Sequence, residues 1–411
     1  MGRTTLFLGR LARRIWFRAA LPTLGAVALA LVPGAFGTVL PWNLTIDLGQ
    51  GSVGSILQIL ASSMLAVTTF SLTAMVTAYS SATTHATPRA TQLLMDDTTS
   101  QNVLSTFVGS FVFSLVGIIA LSTGYYTDEG RTVLFLGTLV VIAVVVVTLL
   151  RWISHLTRFG RMSDVIDRTE RAATESLRQW ASAPTAYATP RRADAEDGRP
   201  IFGETTGYVA FVDIAALERI AERSRTRLAV ATLPGGMADA AGPLVHVAEG
   251  DLSEEDTAAV RRAFQIESHR TYDQDPRLGV IALAEIASRA LSPSTNDPGT
   301  AIDVRGALQR VFTAALGETP SDEIRYPHVE VEAVRLEDLV EDGFRPVSRD
   351  GAGMVEVAIR LQKTLSALAI AAEDRGAVFS EAASDALRRA LAELPEQDGR
   401  SLRAATGRPA A

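Results

Sequence analysis

The sequence predicts an α-helical membrane domain with four transmembrane helices, followed by a cytoplasmic α/β (α+β) domain containing a small β unit and a helical hairpin. Three observations carry this. Four uncharged apolar stretches fall within the first 155 residues. The charge then reverses: residues 1–155 hold eight arginines and five acids, net +3, while residues 156–411 hold 31 basic and 41 acidic residues, net −10. Finally, two Asp-Pro pairs, Asp275-Pro276 and Asp297-Pro298, each head an apolar run.

Composition narrows the function classes. With 47% hydrophobic and 21% charged residues, the chain has too much apolar surface for disorder. It has no cysteine, which excludes disulfides, thiolate catalysis and cysteine metal sites. Its five histidines, His85, His155, His246, His269 and His328, are too scattered to suggest a metal centre. A net charge of −7 argues against a nucleic-acid binder. No cofactor and no catalytic or metal-ligating residue is expected.

The four spans lie near residues 19–40, 55–79, 103–122 and 132–150. Each approaches the roughly 20 apolar residues that cross a hydrocarbon core. The fourth contains VVIAVVVVTLL, a run that suits a lipid-facing helix, where the backbone must satisfy itself. The first span also reads as a signal peptide, with arginines before it and small residues at Gly34-Ala35-Phe36-Gly37. Arg3, Arg10, Arg13, Arg14 and Arg18 precede the first span, and Arg151, Arg158, Arg161, Arg168 and Arg171 follow the fourth. The positive-inside rule then places both termini in the cytoplasm of a bacterial inner-membrane protein. Trp16, Trp42, Tyr125, Tyr126 and Trp152 flank the spans, as interfacial aromatics do.

The second span carries Ser62, Thr69, Thr73, Thr77, Ser80 and Thr84 along one helical stripe. The stripe reads either as polar glue between helices or as the wall of a wet path. In the third span, Ser105, Gly109, Ser110 and Ser114 offer small-residue packing. Between the two, Pro88 opens a short helix to Met95, and Thr98-x-x-Gln101 resembles a capping box. His85 and Arg89 read as headgroup contacts.

Residues 151–182 read as one helix leaving the membrane, and 183–205 as a linker. GYVAFVD (207–213) and RLAVATL (227–233) read as strands around a helix at 214–223. The second strand stops at Pro234-Gly235-Gly236 and returns through PLVHVA (243–248). Ser253 caps a helix running to about Phe264. Asp at the N-cap and Pro at the first helical position make strong helix starts at residues 275 and 297. A strand at 328–334, a short helix at 336–340, and helices at 354–373 and 380–394 follow. The expected partition is a four-helix transmembrane domain (1–155), a juxtamembrane helix and linker (156–205), a cytoplasmic α/β domain (206–394) and a loose tail (395–411). His269, Asp273, Asp275, Asn296 and Asp297 form a candidate ligand or turn cluster, for which capping is the simpler account.

The TPRATQLLMDD loop, the strand beginning TGYVAFVD, the Pro-Gly turn and DQDPRLGVIALAEIASRALSPSTNDPGTA together resemble a bacterial family of predicted integral membrane proteins of unknown function, the DUF2254 class. The resemblance spans nearly the whole chain and implies architecture and compartment, but no activity. The expected partners are the lipid bilayer and further copies of the chain. The expected function is that of a homo-oligomeric channel- or transporter-like protein with a cytoplasmic regulatory domain. The alternatives are a membrane-anchored sensor or scaffold and, third, a membrane-tethered enzyme.

Overall fold

A computed structural model describes residues 15–36, 52–95, 97–192, 198–248 and 250–407. Arginines 3 to 14, Trp42 and most of the first loop lie outside the described residues, as does the side chain of His85. The chain divides into two compact units. One holds the described residues up to Ala82 together with Gln92–Arg161. The other holds Thr83–Thr91 and the chain from Met162 onward.

Apart from Thr83–Thr91, which belong to the second unit, the first unit is built from α1 (Ile15–Phe36), α2 (Ser52–His85), α3 (Pro88–Met95), α4 (Thr98–Ser122) and α5 (Asp128–Leu156). Three stretches, Ser52–Thr84, Pro88–Ser122 and Asp128–Leu156, are long and apolar enough to cross a membrane. In α1 the apolar stretch Ala20–Gly34 is shorter. Leu57, Phe113, Tyr126 and Leu134 form one buried cluster, and Leu60, Met64, Phe107, Val145 and Trp152 another. The small residues of the third span serve the protomer itself. A Cβ on Gly109 would lie 3.5 Å from the Pro22 carbonyl oxygen and 3.8 Å from Ala26 of α1. The helix α4 begins one residue before the expected box, since Asp97 is its N-cap and accepts from Ser100 N.

Residues 151–182 do not form one helix. The helix α5 ends at Leu156, and α6 (Met162–Ser182) starts afresh after a turn at Gly160, whose φ is +76°. A side chain there would also press on Ala78, 3.0 Å away.

The second unit contains two sheets. Five strands run in the order β1 (Ala188–Pro190), β8 (Tyr326–Val331), β4 (Leu228–Val230), β6 (Val245–Val247), β2 (Arg199–Ile201). Three more run β5 (Met237–Ala238), β3 (Gly207–Val212), β7 (Phe264–Glu267). The expected β unit is therefore split between the sheets: GYVAFVD supplies β3 of the three-stranded one, whereas RLAVATL and PLVHVA supply β4 and β6 of the other, which β8 joins from 79 residues beyond β6. The helices α7 (Ile214–Ser224) and α8 (Glu254–Ala263) pack on the strands. At the bulge between β1 and β8, the His328 N–H donates to Glu218 Oε2 of α7 at 3.0 Å, and the two side chains pair at 2.7 Å.

The helical hairpin is α9 (Pro276–Ala290) and α10 (Pro298–Leu316). Gly279 brings α9 against α6; a Cβ there would sit 2.5 Å from Ala173 Cα. The remaining helices are α11 (Leu336–Asp350), α12 (Val355–Ala371), α13 (Gly376–Glu393) and α14 (Glu396–Thr406). Phe312, Phe344 and Phe379 meet between α10, α11 and α13. The expected loose tail is corrected over 396–406, which forms α14 and buries Leu402 with Ala390 and Leu394.

Candidate functional site

Asp275 is the centre of the candidate cluster, and β3 sets its place. The Gln274 side chain grips Val212 of β3, accepting its N–H at 2.8 Å and donating to its carbonyl at 3.4 Å. The Pro234-Gly235-Gly236 turn bonds Val209 of the same strand through Gly235 N and Gly236 O. Strand and turn thus hold Asp275 from two sides. Its carboxylate is 1% exposed at the residue level and meets Arg270 in a bidentate pair, at 2.7 and 3.0 Å. One oxygen also accepts the N–H groups of Arg277 and Leu278, capping α9. Gly235, at φ +88°, is the only residue type that fits, because a Cβ would lie 2.4 Å from Asp275 Oδ2. With both oxygens committed, Asp275 is a structural hub. It is not an open base or ligand.

The sequence cluster does not close. Asn296 and Asp297 lie at the other end of α9, about 22 Å away at 1.5 Å per residue; the Asp297 N–H bonds the Ala290 carbonyl there. Asn296 takes φ +47° in an exposed turn, and Asp297 caps α10 through Thr300 N and Oγ1. Those two bonds hold the Asp297 carboxyl below its ordinary range. His269 is exposed beside Ser268, 2.7 Å from its hydroxyl, and Asp273 is half-buried. Among the described residues no group of three or more His, Cys, Asp or Glu is placed to hold a metal ion.

Arg89 was expected at headgroups, but instead pairs with Glu285 of α9 within the second unit. Its carbonyl accepts the Tyr272 hydroxyl at 3.0 Å. Burial, then the Glu285 charge, pushes the Tyr272 phenol up. The segment that follows α2 is therefore fixed to the hairpin by a side chain and, through its backbone, to Tyr272 in the loop leading into it. Spacing alone could not reveal a pair 196 residues apart.

In the first unit the stripe lies on α2, and Ser62, Thr69, Thr73, Thr77, Ser80 and Thr84 are all exposed. The buried face of α2 carries Leu57, Ala61, Met64, Ser71 and Met75. At 100° per residue the stripe points roughly 150° away from that face. It is not glue inside the protomer. Ser62, Thr69, Thr73 and Thr77 donate to carbonyls of their own helix, so these hydroxyls are satisfied without a neighbour. Ile59, Leu65, Phe70, Leu72 and Val76 flank them, also exposed.

The same unit holds an ionisable pair that the composition concealed. Asp97, 6% exposed, sits 3.0 Å from Nε2 of His155 in the last turn of α5. Ser100 joins both, and the His155 ring stacks on Trp152 at 5.6 Å. The oxygen of the Gln101 side chain is buried there without a hydrogen bond. A His at a helix C-terminus and an Asp at an N-cap were visible in the sequence, but their meeting depends on how α4 and α5 cross.

A family of predicted membrane proteins, DUF2254, matches residues 12–367. The chain belongs to that family. It is 28% identical over 346 residues to the uncharacterized protein Mb1321c of Mycobacterium bovis, covering 79% of this chain and 65% of the relative. The uncharacterized protein Rv1290c of Mycobacterium tuberculosis matches to the same extent. The chain thus covers less than two thirds of these relatives' length. No solved structure shows a significant match. Membership establishes a membrane protein with several apolar helices, in agreement with the apolar stretches of α2, α4 and α5.

Proposed function

We propose that this DUF2254 member is a homo-oligomeric channel- or transporter-like protein of the bacterial inner membrane, with four spans, cytoplasmic termini and a cytoplasmic regulatory domain. The observation that carries the proposal is the outward hydroxyl stripe of α2. Only 28% of the most apolar stretch of α2 is buried in its own protomer. Lipid alone does not select for six hydroxyl side chains on one face, whereas a neighbouring α2 or a wet path does. The 34 residues of α2 extend about 51 Å, longer than a hydrocarbon core of about 30 Å. Just beyond them Arg89 pairs with Glu285 of α9, and its carbonyl accepts the Tyr272 hydroxyl.

Flux of monovalent ions into vesicles carrying the full chain tests this. Thr73→Leu with Thr77→Leu keeps α2 apolar but removes two hydroxyls and adds bulk. Flux that falls several-fold while the oligomer persists supports the path. A monodisperse monomer with no flux, before and after substitution, refutes it and leaves the anchored sensor or scaffold.

A further inference from the structure

The helix α10 carries a feature that neither the hairpin nor the stripe uses. An open cleft of about 550 Å³ runs along it, lined by Arg305, Gly306, Gln309, Arg310, Thr313 and Ala314. Drug- and metabolite-sized sites span about 300–1,000 Å³. Arg305 is half-buried, and its Nη1 is held by Gln309 Oε1 at 3.3 Å and by the Thr364 hydroxyl of α12. Its Nε is buried with no hydrogen-bond partner. Among the described residues neither Arg305 nor the exposed Arg360, one turn before Thr364, forms an ion pair. Arg310 is different, being matched by Glu170 in a bidentate pair at 2.6 and 2.7 Å. Burial, then the charges of Arg360 and Arg310, pushes the Arg305 guanidinium below its ordinary value, and Asp303 offsets them least.

Gly306 adds an independent point. Glycine inside a helix costs about 1 kcal/mol relative to alanine. No neighbour requires it here, since a Cβ would meet nothing nearer than Arg310 Nη1 at 3.5 Å. Its effect is to keep the floor of the cleft open.

We infer that the cleft on α10 is a binding site for a phosphoryl oxyanion, held by Arg305 with the Thr313 hydroxyl on its rim, and with Arg360, one turn before the Thr364 that holds Arg305, adding its charge from outside the lining. Guanidinium matches phosphate oxygens in a fork, and the second guanidinium nearby favours a phosphoryl group over a singly charged carboxylate. The site stands whether or not the protein conducts.

Calorimetric titration of the full chain in detergent tests it, with pyrophosphate and glycerol phosphate as probes. The expected result is saturable binding that weakens with salt and falls at least tenfold in Arg360→Ala and Arg305→Gln. Gly306→Leu is expected to melt no lower than the wild type, yet to lose binding by filling the cleft. Preference for pyrophosphate identifies a soluble phosphorylated ligand, and preference for glycerol phosphate a lipid headgroup. No saturable binding of either probe, or binding in Gly306→Leu and Arg305→Gln equal to that of the wild type, overturns the inference.

Discussion

Asp275-Pro276 and Asp297-Pro298 are the same helix-start signal, and both cap a helix as the signal requires. Their surroundings differ completely. Asp275 is buried, paired with Arg270 and closely approached by Gly235, whereas Asp297 is exposed and its carboxylate bonds the first turn of its own helix. A local motif thus specifies a local conformation. How much the fold depends on it is set by the chain that packs over it.

The sharpest test of that comparison is Asp275→Ala. Removing one partner of a buried ion pair strands the other, so unfolding of the chain in urea should show a loss of about 3–5 kcal/mol. Equal losses for Asp275→Ala and Asp297→Ala would break the comparison. Next comes Gly235→Ala, which forces a side chain into φ +88° and against the Asp275 carboxylate. A loss of about 1–3 kcal/mol is expected, typical of a strained backbone position. Asp297→Ala should cost about 1 kcal/mol, the usual value of a lost N-cap.

The smallest effect is one of pH. The Asp297 carboxyl is depressed by its bonds to Thr300, so its contribution is present above the ordinary Asp value of about 3.9 and is lost as pH falls through the folded value. The stability gap between wild type and Asp297→Ala should therefore be full at pH 7 and shrink below about pH 4. A gap that holds constant into acid would mean that the carboxylate charge contributes nothing.

These residues also show how far the sequence could be read. Apolar length placed α2, α4 and α5, and the Asp-Pro pairs placed α9 and α10, because such signals are complete within one turn or one span. The stripe was found by its period, but its direction was not, since that depends on which face of α2 the rest of the protomer covers. The clustering of Asp275 with Asn296 and Asp297 failed because a 15-residue helix separates them. Arg270–Asp275 lay within five residues yet needed β3 to bring the loop into place. Asp97–His155 and Arg89–Glu285 join distant segments and left no local trace.

The stripe decides the larger reading. The chain has no cysteine, so Thr73→Cys creates a single thiol on the outward face of α2, and Val140→Cys creates one on the exposed face of α5 as a control. Mild oxidation of membranes carrying each variant, followed by non-reducing gels, reads directly which helix meets its copy. A cross-linked dimer from Thr73→Cys, with none from Val140→Cys, is the predicted result. A monomer from Thr73→Cys under conditions that cross-link Val140→Cys would contradict assembly through α2.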